Sequence, residues 1–264
     1  MPAENTDPQA LIDALIAFET PRVWSLLVTI FGDLARSDSD SIDGRVLTQL
    51  TDRIGIKPQA VRVALHRLRN DDWIISTKTG RSASYQLTRK GRSETLSVAP
   101  LIYSSLDQMP RKVQIAIPQT THATEKDTLS QAGFVQLATR VFVGSAHAVA
   151  PETAWVVTTQ NAPEWLRQEI VPRDWTKGFA DLSAVLEAHA PSEMRPAQND
   201  PRTDAVLRVL IVHQWRRLVL RHPHLPPSVT GPDWSGHACR GTVNAVLRQI
   251  PRPALATLRE SALI

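Results

Sequence analysis

Gln59, Arg62 and His66 stand at spacings of three and four residues in the stretch PQAVRVALHRLRND, and the chemistry open to that trio is hydrogen bonding to the edges of bases. An arginine can pair in bidentate fashion with guanine O6 and N7, and a glutamine with adenine N6 and N7, each worth roughly 1–3 kcal/mol of base discrimination. Lys57 precedes the trio, and Arg67 and Arg69 flank it. Lys78, Arg81, Arg89, Lys90 and Arg92 follow within the next stretch, as residues suited to phosphates, which confer affinity and salt dependence without reading sequence. From Lys57 to Arg92 nine basic residues face only Asp71 and Asp72, a surplus of +7 where the whole chain carries +4. The rest of the chain is therefore slightly acidic, and the positive field is local. The competing reading is a solvated basic helix used for protein contacts.

Two other groups of residues could do chemistry. His222, His224, His237 and Cys239 form an H-x-H followed by an H-x-C, which offers four nitrogen and sulfur ligands for zinc. The prolines around the first pair and the lack of a partner carboxylate beyond Asp233 favour surface and interface histidines, so no metal is expected. His213, Trp215, Arg216, Arg217, Trp234 and Arg240 mix arginines with tryptophans in a manner that suits an anionic ligand carrying a ring. Spacing alone fits equally well with helix-surface arginines around buried tryptophans. No nucleophile elbow, paired carboxylates or Cys/His pair has a mechanical context, so no catalytic residue is assigned. A metal-dependent nuclease of the small α+β type would need an acid at the end of its first strand, where KVQIAIPQ ends in Gln119.

These side chains need elements to hold them. At about 100° per residue, Val61, Ala64, Leu65 and Leu68 share one face of a helix beginning near Pro58, while Gln59, Arg62, Val63, His66 and Asn70 share the opposite face. A preceding helix carries Val46, Leu47, Leu50 and Ile54 and ends at Gly55, so the Gly55–Lys57 connection has the length of a helix-turn-helix turn. PRVWSLLVTIFGDLA supplies a scaffold helix from Pro21 to Ala35, and Pro8 to Phe18 a short amphipathic one. WIISTKTGRSASYQLT reads as a β-hairpin turning at Thr79-Gly80-Arg81, with Lys78 and Arg81 at its tip, the position of a wing. A linking helix is expected from Ser93 to Leu106, interrupted at Pro100.

Beyond it, KVQIAIP, a helical stretch at Glu125–Ala132, FVQLATRVFVG, AWVVTTQ and a helix near Pro163–Ile170 suggest a small ferredoxin-like α+β sandwich. Past Pro172 the pattern is helical: Lys177–His189, Pro201–Arg221, Gly236–Gln249 and Pro253–Ala262. The expected organisation is an α+β multidomain chain. It comprises an N-terminal tail and short helix (1–20), a winged helix-turn-helix (21–92), a linker helix (93–108), the ferredoxin-like domain (109–172) and a helical C-terminal domain (173–264) for effector binding or dimerisation. With 264 residues the chain is long enough for two or three such units. One cysteine, no leader-like start and no apolar run approaching a membrane span point to a soluble cytoplasmic protein without disulfides.

Taken in order, SLLVTIFGD, GIKPQAVRVALHRLRNDDWI with YQLTRKGR, QAGFVQLATRVFV, and VLIVHQWRRLVLRHPHLPPSVTGPDWSGHACR give the chain a resemblance to the PaaX family of phenylacetate-degradation regulators over nearly its whole length. HQWRRLVLRHPHLP followed by PDWSGHA is the most distinctive part. The resemblance implies a homodimeric repressor of duplex DNA at a near-palindromic operator, with a middle domain similar to the Cas2 fold. It also implies release by an aromatic acyl-CoA such as phenylacetyl-CoA and no other cofactor. The alternative to a regulator is a nuclease or acyl-CoA-processing enzyme carrying an appended winged-helix module.

Overall fold

A computed structural model describes residues 7–79, 82–160, 162–170, 173–190, 200–222, 225–231 and 233–262. The fold is mixed α+β with one three-stranded and one four-stranded sheet. In chain order the elements begin α1 (Pro8–Phe18), α2 (Val23–Leu34), β1 (Ile42–Asp43), α3 (Gly44–Arg53), α4 (Pro58–Asn70), β2 (Ile74–Thr79), β3 (Ser82–Leu87) and α5 (Arg89–Tyr103). They continue with β4 (Val113–Pro118), α6 (Ala123–Gln131), β5 (Val135–Ala138), β6 (Val141–Ser145), β7 (Ala154–Thr159) and α7 (Glu164–Ile170). The rest is helical: α8 (Arg173–His189), α9 (Pro201–Arg221), α10 (Pro227–Thr230), α11 (Ser235–Gln249) and α12 (Leu255–Ser261).

The chain divides into two compact units, each built from separate stretches. The first takes Met1–Tyr103, Ala184–Arg216 and Thr242–Ile264, and the second Ser104–Ser183 and Arg217–Gly241. The C-terminal helices, expected as a region of their own, are thus shared between the units.

In the first unit α2 and α9 are core helices. Leu26, Leu27, Val28, Ile30, Phe31 and Leu34 are buried on α2, and every residue of α9 from Ala205 to Trp215 is buried. A helix buried all round has no solvent face to fill with charge, which is why AVLRVLIVHQW contains so few polar residues. Helices α3 and α4 end alike. Gly55, at φ +77°, closes α3, with Gly55 N donating to Asp52 O at 2.9 Å and Ile56 N to Thr51 O at 3.0 Å. Asp72, at φ 55°, closes α4, with Asp72 N donating to Arg69 O at 3.1 Å and Trp73 N to Leu68 O at 2.8 Å. Each is the left-handed cap that satisfies the last carbonyls of a helix and turns the chain sharply.

The turn after α4 feeds β2, which pairs antiparallel with β3 from Ile74↔Leu87 to Thr79↔Ser82. A short strand that the sequence pattern does not predict, β1, adds to β3 through Ile42↔Tyr85 and Asp43↔Ser84. Two residues are too few to show a periodicity. Helix α5 differs from expectation at both ends. It starts at Arg89 because Thr88 Oγ1 accepts from Gly91 N at 3.0 Å, capping the first turn. It runs through Pro100 because that residue and Leu96, whose carbonyl loses its partner, both face solvent.

In the second unit the sheet order is β5-β6-β4-β7, every neighbouring pair antiparallel. The run FVQLATRVFVG, read as one pattern, makes two of these strands. Val113 and Val143 pack with Leu166 of α7 and Val229 of α10, while Ala116 and Phe142, of opposite parity, pack with Leu129 of α6 and Phe134. The sheet is therefore covered on both faces, whereas a ferredoxin-like plan sets both helices on one. Gly144 sits beneath Phe134, whose ring would lie 2.7 Å from a Cβ there.

Candidate nucleic-acid interface

Helix α4 packs against α2, α3 and β2, and burial divides its residues cleanly. Val61, Ala64, Leu65 and Leu68 are buried, and Gln59, Arg62, Val63, His66 and Asn70 are exposed. Pro58 occupies the first helical position after Lys57, so the chain enters the helix immediately after the α3–α4 turn. Along the exposed stripe the polar residues pair with each other. Arg62 Nη1 donates to Gln59 Oε1 at 3.1 Å, and Asn70 Nδ2 donates to His66 Nδ1 at 3.3 Å. All four side chains are exposed at moderate hydrogen-bond lengths, so exchanging these partners for others in the same plane costs little.

The remaining cations fall into two sets. Lys57 just before α4, Lys78 on β2 and Arg89 at the start of α5 are exposed. Arg67, Arg69, Lys90 and Arg92 brace the fold as well. Arg67 lies 3.7 Å from Asp71 and 5.4 Å over the Trp24 ring. Arg69 donates to Ser76 Oγ at 3.4 Å, Lys90 to Asp71 O at 2.8 Å, and Arg92 forms an ion pair with Asp38. Arg81 lies outside the described residues. The hairpin base is fixed by Trp73, whose Nε1 donates to Glu94 Oε2 at 2.6 Å, and by Gly91, where a Cβ would stand 2.2 Å from Trp73 O.

Behind this surface runs a buried polar seam that sequence reasoning missed. Ser25, Thr29 and Asp33 repeat every four residues on α2 and meet Arg216, His213 and Arg208 of α9. Arg216 Nη1 lies 3.4 Å from Ser25 Oγ. Thr29 Oγ1 donates to Ser25 O at 3.1 Å and so accepts from His213 Nδ1 at 3.1 Å, which leaves His213 Nε2 buried with no partner among the described residues. Burial, with the Arg216 charge adding to it, pushes the His213 pKa down to about 4. Arg208 donates to Asp33 Oδ2 at 2.7 Å and Oδ1 at 3.1 Å, and Tyr103 Oη donates to Oδ1 at 2.7 Å. Burial first, then Asp33, raises the Tyr103 pKa above its ordinary value, so the phenol stays a donor. The available signal was three hydrophilic residues at helical spacing inside SLLVTIFGD.

Of the six C-terminal candidates, His213 and Arg216 sit in that seam, and Trp215 is buried with Nε1 donating to Ile102 O at 2.9 Å. Arg217, Trp234 and Arg240 belong to the second unit. There Phe179, Trp234 and His237 form an edge-on aromatic row, with centroids 5.1 Å and 5.0 Å apart, and His222 lies 5.5 Å from Phe179. His237 Nε2 lies 2.8 Å from Thr230 Oγ1, and burial, then Arg240, lowers the His237 pKa to about 4. Arg240 Nη1 donates to Ser104 O at 2.9 Å. Trp234 Nε1 and His237 Nδ1 are buried with no hydrogen-bond partner among the described residues. No group of three or more His, Cys, Asp or Glu among the described residues is arranged to hold a metal, and His224 lies outside them.

Comparison with known proteins places this geometry in context. Residues 22–91, which hold α2 to the start of α5, match the model of PaaX-like proteins, and residues 165–260 match that of the PaaX-like protein C-terminal domain. The chain is 23% identical over 277 aligned residues to the transcriptional repressor PaaX of Escherichia coli K12, covering 89% of this chain and 83% of that protein. Its fold is similar to that of the uncharacterized protein Rv0674 from Mycobacterium tuberculosis, with a TM-score of 0.54 at 18% identity over 91% of this chain and 98% of the other. With both family segments matched in order over more than half its length, the chain belongs to the family of PaaX-like proteins.

Proposed function

We propose that this protein is a transcriptional repressor that binds duplex DNA as a homodimer through a winged helix-turn-helix spanning residues 21–92. The observation that carries the reading is the exposed stripe of Gln59, Arg62 and His66 on α4, set opposite a fully packed face and followed directly by a hairpin. In this arrangement α4 enters a major groove and reads base edges, while Lys57, Lys78, Arg81, Arg89 and Lys90 meet phosphates of the same half-site. Arg67 and Arg69 serve at the flank. A relative named as a transcriptional repressor supports the same role and argues against an enzyme. No helix among the described residues is long and apolar enough to cross a membrane, which suits a cytoplasmic regulator. In the second unit the strand order β5-β6-β4-β7 matches a ferredoxin-like reading of 109–172, but α7 follows β7 and covers the face opposite α6, so the domain is at most a variant of that plan.

The genes controlled are those of an aromatic-acid, phenylacetate-type catabolic operon, and the signal is an aryl-acyl-CoA such as phenylacetyl-CoA. Arg217, Trp234 and Arg240 are the residues for that ligand, because Trp234 Nε1 is a buried donor with no hydrogen-bond partner among the described residues. His213, Trp215 and Arg216 are engaged within the first unit and act in its packing.

The test is binding of full-length protein to duplexes enriched from a random pool, followed by fluorescence anisotropy across a salt series. Arg62→Ala should weaken binding roughly 10- to 100-fold and relax preference at one base pair. Lys78→Ala and Arg89→Ala should weaken all duplexes alike and reduce the log–log salt slope by about 0.9 for each phosphate no longer neutralised. An Arg62→Ala variant that binds the selected duplex as wild type does would refute the recognition assignment.

A further inference from the structure

We infer that Val63 is a base reader, recognising the C5 methyl group of a thymine in the major groove; this rests on the DNA-binding reading above. Val63 is 61% exposed, more than any other large apolar side chain among the described residues of the first unit. It stands in the middle of the outward stripe, four residues after Gln59 and three before His66. The two intrahelical hydrogen bonds, Arg62 to Gln59 and Asn70 to His66, lie on either side of it along the helix. Polar groups of the face thus pair with one another without DNA, and the isopropyl group lies between the two pairs.

The residue type has a cost at this position. A β-branched side chain is a poorer helix former than alanine or a straight-chain polar residue, and exposed at mid-helix it gains nothing from burial to offset that. The surroundings decide which partner would repay it. A protein partner docking on a helix needs an apolar stripe several residues long, and here the neighbours are Gln59, Arg62, His66 and Asn70, all polar and exposed. With Lys57 and Arg62 adjoining, the charge suits a polyanion. In the major groove the thymine methyl is the only apolar group that a base pair presents, and apolar side chains recognise it by contact.

The experiment uses the full chain and the duplex it enriches from a random pool. Each thymine is exchanged singly for deoxyuridine, which removes the C5 methyl and leaves every hydrogen-bonding group in place. At one thymine of each half-site the exchange should weaken wild-type binding about fourfold, the effect of exposing one buried methyl. The same exchange should leave binding by Val63→Ala unchanged, and Val63→Thr, which keeps a methyl, should retain part of the difference. Val63→Ala removes no buried contact and replaces a poorer helix former, so its melting temperature should equal or slightly exceed that of wild type. If every thymine exchange affects wild type and Val63→Ala equally, the inference is overturned and the DNA-binding reading stands. If no duplex is enriched and binding shows no salt dependence, the DNA-binding reading falls and this inference falls with it.

Discussion

Substituting Arg208 by methionine tests whether the seam between α2 and α9 holds the first unit together. Asp33 has no solvent exposure, and the Arg208 side chain is 9% exposed. The guanidinium makes two hydrogen bonds to that carboxylate and a third, at 2.8 Å, to Ile250 O, which orders the chain beyond α11. Methionine fills much the same volume but leaves the Asp33 carboxylate buried, with the Tyr103 hydroxyl as its remaining side-chain donor among the described residues. Removing one partner of a buried pair costs about 3–5 kcal/mol, because the other charge stays behind without compensation. Against a typical total of about 5–15 kcal/mol this is a large share. The same reasoning fixes the sign of the double variant. Asp33→Asn removes the stranded charge, so Arg208→Met combined with Asp33→Asn should be more stable than Arg208→Met alone, with a coupling energy of roughly 2 kcal/mol or more. Urea unfolding at pH 7, followed by far-UV circular dichroism, measures all four corners of the cycle. Additive losses, or a single-variant loss below about 1 kcal/mol, would refute the claim that each charge of the pair is compensated chiefly by the other.

Two further outcomes follow from the geometry. His213 and His237 have folded-state pKa values near 4, below the ordinary 6.5, so between those values the unfolded chain binds protons that the folded chain does not. Stability is therefore full above about pH 6.5 and falls as the pH drops toward 4, by on the order of 3 kcal/mol for each histidine. Thermal melts from pH 7.5 to 4.5 measure it, and a His213→Asn variant should show a shallower fall; a profile that rises on acidification would reverse the assignment. Gly91→Ala places a methyl against the Trp73 carbonyl, which is backbone and cannot rotate away. A loss of about 1–3 kcal/mol, read as a lowered Tm, is expected for such overpacking, with DNA affinity falling too because Trp73 anchors the hairpin. An unchanged Tm would mean that the α5 start moves freely, contrary to its capping by Thr88.

What could be read in the sequence was what one element decides by itself. Helix α4 shows its two faces in thirteen residues because a period of 3.6 sorts them without reference to anything else, and the structure divides those residues along the same line. Gly55 ends α3 for the same local reason: only a residue tolerant of positive φ suits that cap. Helix α5 begins four residues before the expected Ser93 because its start depends on one threonine hydroxyl, and a single capping oxygen is a weaker signal than a run of apolar residues.

The seam was hidden for a different reason. Ser25, Thr29 and Asp33 are each compatible with an exposed helix face. Their significance comes from Arg216, His213 and Arg208, which lie 175 or more residues away in the chain. The spacing of four on α2 shows only that the three share a helix face, not what that face meets. Helix α9 carries a trace of the pairing, since Arg208, His213 and Gln214 interrupt the apolar run from Ala205 to Trp215. Two helices buried on all sides could pack in several registers one turn apart at similar apolar cost. A carboxylate that must meet a guanidinium at one end, and a hydroxyl that must meet an imidazole one turn further on, leave one register in which Asp33 and Arg208 compensate each other. The helix against which α4 packs is thereby held at one height against α9, so a displacement of α9 by a turn cannot occur without either carrying α2 with it or stranding Asp33.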